Sequence, residues 1–183
     1  MKNDRYHIFK ITATAVMIAV TCVLTLAVRI PTPSKGYLNL GDCAVLFSGW
    51  LLGPVWGAVA AGMGSALADL FAGYPVYIPG TLIIKAAMAL IVALLPYPFG
   101  RKHPGVGFIA ASVLAESFMT AGYWLYEAVV IGEGFVAAFV GVSGNVFQGF
   151  AGVAGSYFLI GVLSHTDLVR AYGAGVLTKS RAK

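Results

Sequence analysis

Asp69-Leu70-Phe71-Ala72-Gly73-Tyr74-Pro75-Val76-Tyr77-Ile78-Pro79-Gly80-Thr81-Leu82-Ile83-Ile84-Lys85 is a polar, aromatic, proline-broken hairpin between two strongly apolar segments, with a carboxylate at one end and an ammonium at the other. A charge at the centre of a membrane helix costs about 2.5 to 3.5 kcal/mol on insertion scales, so the two charges read as functional. The hairpin is expected to form one wall of a small-molecule site.

The flanks of this stretch decide the fold class. Of the 183 residues, 59% are hydrophobic and 10% charged, and the mean hydropathy is +0.85; soluble domains carry about 25% charged residues. The chain reads as an all-α integral membrane protein. A crossing needs about 20 apolar residues, which leaves room for roughly six spans and no separate soluble or catalytic domain. Residues 1–183 are expected to form one membrane domain with spans at about 11–28, 43–52, 55–71, 81–95, 105–130 and 135–163.

Proline and glycine punctuate these spans: Pro31 and Pro33, Gly53-Pro54, Gly73 to Gly80, Pro96 to Pro104, and Gly132 to Gly134. Met1 to Lys10 is a polar, basic leader, and the run Ile11 to Val28 is too long and lacks the small-residue cleavage site of a signal peptide. Asp42 opens the second span, where a carboxylate suits the helix dipole, so capping explains it as well as ligand binding does. Gly49, Gly53 and Gly57, and then Gly57, Ala61 and Ser65, recur every fourth residue, the spacing of close helix packing.

The net charge of +5 does not point to nucleic acid, because the basic residues sit in short pieces beside apolar runs and read as topology signals. With the N-terminus in the cytoplasm, Lys2, Arg5, Lys10, Arg101, Lys102, Arg170, Lys179, Arg181 and Lys183 all fall inside. Only Arg29, Lys35 and Lys85 remain outside or in the membrane. This gives an N-in, C-in, multi-pass protein of the cell membrane.

That topology sets the depth of each polar residue. Asp69 lies near the outer end of span three, and Lys85 about one turn below the outer surface in span four. Glu116, Thr120, Tyr123 and Glu127 share one face of span five, and Asn145 and Gln148 lie in the outer part of span six. Polar groups from four helices and two loops thus converge on the outer half of the bundle. Each also has a plainer role open to it: Asp69 and Lys85 pairing with each other, Glu116, Asn145 and Gln148 bonding between helices, Glu127 at the water interface, and Tyr74, Tyr77, Tyr123 and Trp124 in an aromatic belt.

Catalysis finds no support. Cys22 and Cys43 form no metal or redox motif, and His7, His103 and His165 fall on the cytoplasmic side. Glu116 and Glu127 stand roughly 16 Å apart along a helix, too far for a carboxylate pair. Gly173 to Ser180 approaches a phosphate loop, but Thr178 replaces the required glycine. No enzyme activity, metal or cofactor is expected. Amides, carboxylates, an ammonium and aromatic rings instead suit a small, flat, polar heterocycle. Lys85 and Asp69 would exchange hydrogen bonds with it, Asn39, Asn145 and Gln148 would fix the ring edge, and Tyr74, Tyr77, Tyr123 or Trp124 would stack.

Asn39-Leu40-Gly41-Asp42, Gly53-Pro54, Gly64-Ser65-Ala66-Leu67-Ala68-Asp69-Leu70, Gly73-Tyr74-Pro75 and Thr81-Leu82-Ile83-Ile84-Lys85 together resemble the substrate-binding S components of energy-coupling factor (ECF) vitamin transporters. The nearest likeness is to the riboflavin-type branch that includes hydroxymethylpyrimidine and pyridoxine carriers. The resemblance implies a six-helix subunit that binds a vitamin at the outer side, associates with a transmembrane T component and two cytoplasmic ATPases, and releases its substrate by toppling in the bilayer. It further implies that Ala15 and Ala19 meet the T component and that the loop from Pro31 to Gly41 gates the site. A proton-coupled carrier using Asp69, Lys85 or Glu116, and a purely structural membrane subunit, are the rival readings.

Overall fold

A computed structural model describes residues 2–31, 37–95, 104–166 and 169. Six helices carry the fold: α1 (Lys2–Ala27), α2 (Gly41–Leu52), α3 (Pro54–Ala72), α4 (Ile78–Leu94), α5 (Pro104–Leu125) and α6 (Phe135–Leu163). Two short strands, β1 (Ile30–Pro31) and β2 (Tyr37–Leu38), pair antiparallel between α1 and α2. The basic turn at Pro96–His103, the tail from Arg170 and the middle of the expected gate, residues 32–36, lie outside the described residues.

Backbone groups in hydrocarbon must be satisfied within the chain, which is why an apolar sequence of this kind resolves into helices. Five stretches are long and apolar enough to cross a membrane: His7–Ala27, Pro54–Ala72, Pro75–Leu94, Gly105–Val130 and Phe135–Leu163. The protein is a multi-pass membrane protein.

The sixth helix, α2, differs. Its 12 residues reach about 18 Å, well short of the hydrocarbon core. All but Cys43 are buried, and α2 packs against α1, α3, α4 and α6. It is the central post of the bundle rather than a lipid-facing span. Lipid contact falls instead to exposed side chains such as Val16 of α1, Ile83 of α4, and Phe147, Phe150 and Phe158 of α6.

Small residues allow these close approaches. A Cβ on Gly57 would lie 2.8 Å from the Gly49 backbone, and one on Gly64 would lie 2.7 Å from the Ile18 carbonyl of α1. Two expectations about the N-terminal half change. Helix α1 begins at Lys2 rather than after a leader, and Lys10 is buried with its ammonium donating to the Leu52 carbonyl at 2.9 Å, at the negative end of α2.

The hairpin Asp69–Lys85 is a tight reversal. Pro54 starts α3, and Gly73 ends it in the left-handed region (φ 83°), where Tyr74 N–H donates to the Asp69 carbonyl at 2.8 Å. A single 3₁₀ turn, Pro75–Tyr77, leads into α4. Gly80 lies against the Tyr126 ring, where a Cβ would come within 2.7 Å, and Tyr126 donates to the Val76 carbonyl. The reversal is thereby tied to the end of α5.

Candidate functional site

The strand pair, the α3–α4 reversal and the α5–α6 turn all lie at one end of the bundle, and the polar residues there form two layers. The deeper layer is a closed knot. Lys85 of α4 forms an ion pair with Asp42 Oδ1 of α2, and Gln148 of α6 donates to Asp42 Oδ2 at 2.5 Å. The Gln148 carbonyl in turn accepts the Asn39 backbone N–H at 2.8 Å. Lys85 and Asp42 are 2% and 1% exposed, so the pair is screened from water, and the ammonium lies 5.4 Å from the centre of the Tyr123 ring.

This knot corrects two expectations: Lys85 pairs with Asp42 rather than Asp69, and it does not line the cavity into which it was expected to point. Asp42 does lie in the first turn of α2, where the helix dipole suits a carboxylate, and the Asn39 side-chain oxygen accepts the Gly41 N–H at 2.8 Å beside it.

Above the knot is a cavity of about 40 Å³ lined by Tyr37, Asn39, Asp69, Tyr77, Thr81, Tyr123, Glu127, Gly141, Asn145 and Gln148. Tyr37 donates to Asp69 Oδ1 at 2.7 Å, Tyr77 to Glu127 Oε1 at 3.2 Å, and Tyr123 to the Thr81 hydroxyl at 3.0 Å. Asp69 is 5% exposed, and its Oδ2 accepts no hydrogen bond from the described residues. Burial, reinforced by the Asp69 carboxylate, pushes the Tyr37 phenol above its ordinary range and keeps it a donor. The rings of Tyr37 and Tyr74 lie 5.0 Å apart, and those of Tyr77 and Tyr123 lie 6.5 Å apart.

Sequence reasoning missed Tyr37 and Thr81. Tyr37 sits in a two-residue strand too short to give a periodic signal, and a threonine at the start of an apolar helix looks ordinary. Tyr74 sits outside the cavity, against Tyr37 and Tyr77.

The single face expected on α5 divides in two. Tyr123 and Glu127 line the cavity, whereas Glu116, Thr120 and Trp124 line a wide, largely apolar groove of about 680 Å³ between α5 and α6. The cause is how α6 crosses α5: Gly149 and Gly152 press onto Glu116, so the lower part of the stripe faces α6. A π turn at Tyr126–Val130 then sets the position of Glu127. Glu116 is 6% exposed, and neither of its carboxylate oxygens has a hydrogen-bond partner among the described residues. Trp124 was expected to stack on a ligand, but it sits edge-on to Phe135 and donates to the Phe135 carbonyl at 3.0 Å, away from the cavity. Among the described residues no group of three His, Cys, Asp or Glu side chains is placed to hold a metal.

The described helices thus carry a polar, tyrosine-walled cavity at one end of the bundle. The sequence matches the family of ECF-type riboflavin transporter S components over residues 5–165. The chain belongs to this family. It is 25% identical over 171 residues, 92% of this chain and 96% of the relative, to the thiamine precursor transporter HmpT of Lactococcus lactis subsp. cremoris. It is also 40% identical over 114 residues, 61% of this chain and 74% of the relative, to an uncharacterized protein of Pyrococcus woesei. As an S component the chain is part of a membrane transport system.

Proposed function

We propose that this S component captures a small water-soluble vitamin or vitamin precursor in the cavity above the Lys85–Asp42 pair, for ATP-driven uptake by a transmembrane T component and two cytoplasmic ATPases. Hydroxymethylpyrimidine or pyridoxine fits the reading best, and riboflavin is the larger alternative. The observation that carries it is the cavity itself: three tyrosine rings, an incompletely bonded Asp69 and the amide of Asn145 gathered at one end of the bundle. Rings supply stacking surface and a few polar groups set orientation. The likeness to a thiamine precursor transporter over nearly the whole chain supports the smaller, single-ring class.

In this reading Asp69, Tyr37, Tyr77, Tyr123, Glu127, Asn39, Asn145 and Gln148 face or border the ligand, while Lys85 and Asp42 hold that floor in place. The positive-inside distribution of Lys and Arg turns the cavity outward. On α1, Ala15 and Ala19 are exposed among apolar neighbours, which supports their role as the contact with the T component.

Equilibrium binding of hydroxymethylpyrimidine, pyridoxine and riboflavin to the purified protein tests the capture role, and copurification from the native host tests the partners. Binding of none of the three would end the vitamin reading. Uptake into vesicles without an ATPase, driven by a proton gradient, would replace it with a secondary carrier.

A further inference from the structure

We infer that the groove between α5 and α6 is a second binding site, which takes a lipophilic organic cation from the bilayer and holds it over the Glu116 carboxylate. This site is separate from the cavity at the end of the bundle and does not depend on the capture role proposed above.

The groove runs between a stripe of α5 that carries Val113, Glu116 and Thr120 and a stripe of α6 that carries Val146, Gly149 and Val153, each at helical spacing. Its volume of about 680 Å³ falls within the roughly 300–1,000 Å³ of small-molecule sites, and like them it is apolar with few polar groups. The walls open sideways: Val113, Phe139 and Phe150 are 51%, 63% and 73% exposed, on helices that cross the membrane. Glu116 stands roughly 16 Å from Gly105 and roughly 21 Å from Val130 by helical rise, deep in the hydrocarbon. A molecule therefore reaches this groove through lipid.

The anomaly in it is the carboxyl. Among the described residues of the lining, Glu116 is the one ionisable side chain. It is 6% exposed, and neither oxygen has a hydrogen-bond partner among the described residues. Packing alone would be served by a leucine, and an ionisable group at this depth reads as a site. Two glycines make room for it. A Cβ on Gly149, itself a lining residue, would lie 3.4 Å from Oε2, and one on Gly152 would run into Oε1. The charged groups close enough to act on Glu116 are Asp42 of α2 and Lys85 of α4, and they are paired with each other. The site lacks positive charge.

The form of the missing cation follows. Both oxygens are covered by protein atoms, so a ligand meets the carboxylate through its charge rather than through a hydrogen bond. In a low-dielectric surrounding that attraction acts over several ångströms. Trp124, Phe139 and Phe150 in the walls add apolar contact and ring faces for cation–π attraction. A delocalised cation clothed in aryl groups, such as a quaternary phosphonium, meets both demands and dissolves in the bilayer. A strongly hydrated ammonium does not.

Equilibrium dialysis of the purified full chain in phosphatidylcholine nanodiscs tests this with two probes of nearly equal size and shape, tetraphenylphosphonium and tetraphenylborate. The cation should bind saturably, at least about tenfold tighter than the anion. Glu116→Gln keeps the volume and removes the charge; it should weaken the cation at least about tenfold and move the anion by less than about twofold. Val113→Phe places a ring at the mouth of the groove from an exposed position and should also weaken the cation about tenfold. If Glu116→Gln does not fold, the wild-type ratio and Val113→Phe decide. Equal binding of the two probes, or cation binding unchanged in the folded variants, overturns the inference and leaves the groove to lipid chains.

Discussion

The two polar layers at one end of the bundle contain similar residues and do opposite things. In the lower one, Lys85, Asp42 and Gln148 are linked across three helices, Lys85 and Asp42 lie outside the cavity lining, and Gln148 reaches it from below. In the upper one, Asp69 lines the cavity, and its Oδ2 lacks a close hydrogen-bond partner among the described residues. The difference teaches that a buried charge paired within the protein reads as scaffold, whereas an unmet bond reads as open to the cavity's ligand only where it lines the cavity, as at Asp69 and not at Glu116.

The sharpest way to break this distinction is Lys85→Ala. It leaves Asp42 buried without its cation, which should destabilise the protein by about 3–5 kcal/mol. Thermal unfolding in detergent should show a fall too large to come from a ligand contact alone. Combining Lys85→Met with Asp42→Asn removes both charges and keeps an acceptor for Gln148, so it should recover most of that loss. A stable Lys85→Ala protein that has lost only ligand affinity would move Lys85 back into the site.

A smaller perturbation reaches the knot from below. A Cβ on Gly152 would run into the Glu116 carboxylate and come within 2.9 Å of Asp42 Cβ. Gly152→Ala should therefore cost about 1–3 kcal/mol through overpacking. An unchanged unfolding midpoint would mean that the lower layer yields, and that its rigidity is not what separates it from the cavity.

The cavity layer should respond in the opposite sense. Asn145 is half-buried at its wall, and Asn145→Ala should leave stability within about 0.5 kcal/mol. Ligand affinity should fall about fivefold, the equivalent of one hydrogen bond of about 1 kcal/mol. Titration calorimetry beside thermal unfolding separates the two quantities. A large loss of stability with intact affinity would place Asn145 in the scaffold.

Much of this arrangement is legible in the sequence, and the rest is hidden for a definite reason. Hydropathy and the Pro and Gly breaks locate the helices, and Asn39 to Lys85 holds both strong signals, the Asp42 turn and the charged reversal. Depth also places Asp69, Tyr123, Glu127, Asn145 and Gln148 toward one end, where they line the cavity. What periodicity cannot supply is partnership. Lys85 lies 16 residues from Asp69 but pairs with Asp42, 43 residues away, a contact between helices that spacing along one hairpin does not encode. Likewise Glu116 and Glu127 share one face by spacing, yet α6 crosses α5 over Glu116 and the π turn carries Glu127, so the two open onto different spaces.

Tyr123 and Trp124 make the finest test of that crossing, since adjacent helix residues point about 100° apart, following from 3.6 residues per turn. Tyr123 faces the cavity, while Trp124 faces the groove and bonds to the Phe135 carbonyl. Trp124→Phe keeps an aromatic ring and loses that one bond, so stability should drop by no more than about 1 kcal/mol. The dissociation constant of the cavity ligand should stay within about twofold, well under the tenfold that 1.4 kcal/mol would produce. If Trp124→Phe instead weakens binding as strongly as Tyr123→Leu does, the ligand reaches into the groove, and the boundary between the two spaces is drawn in the wrong place.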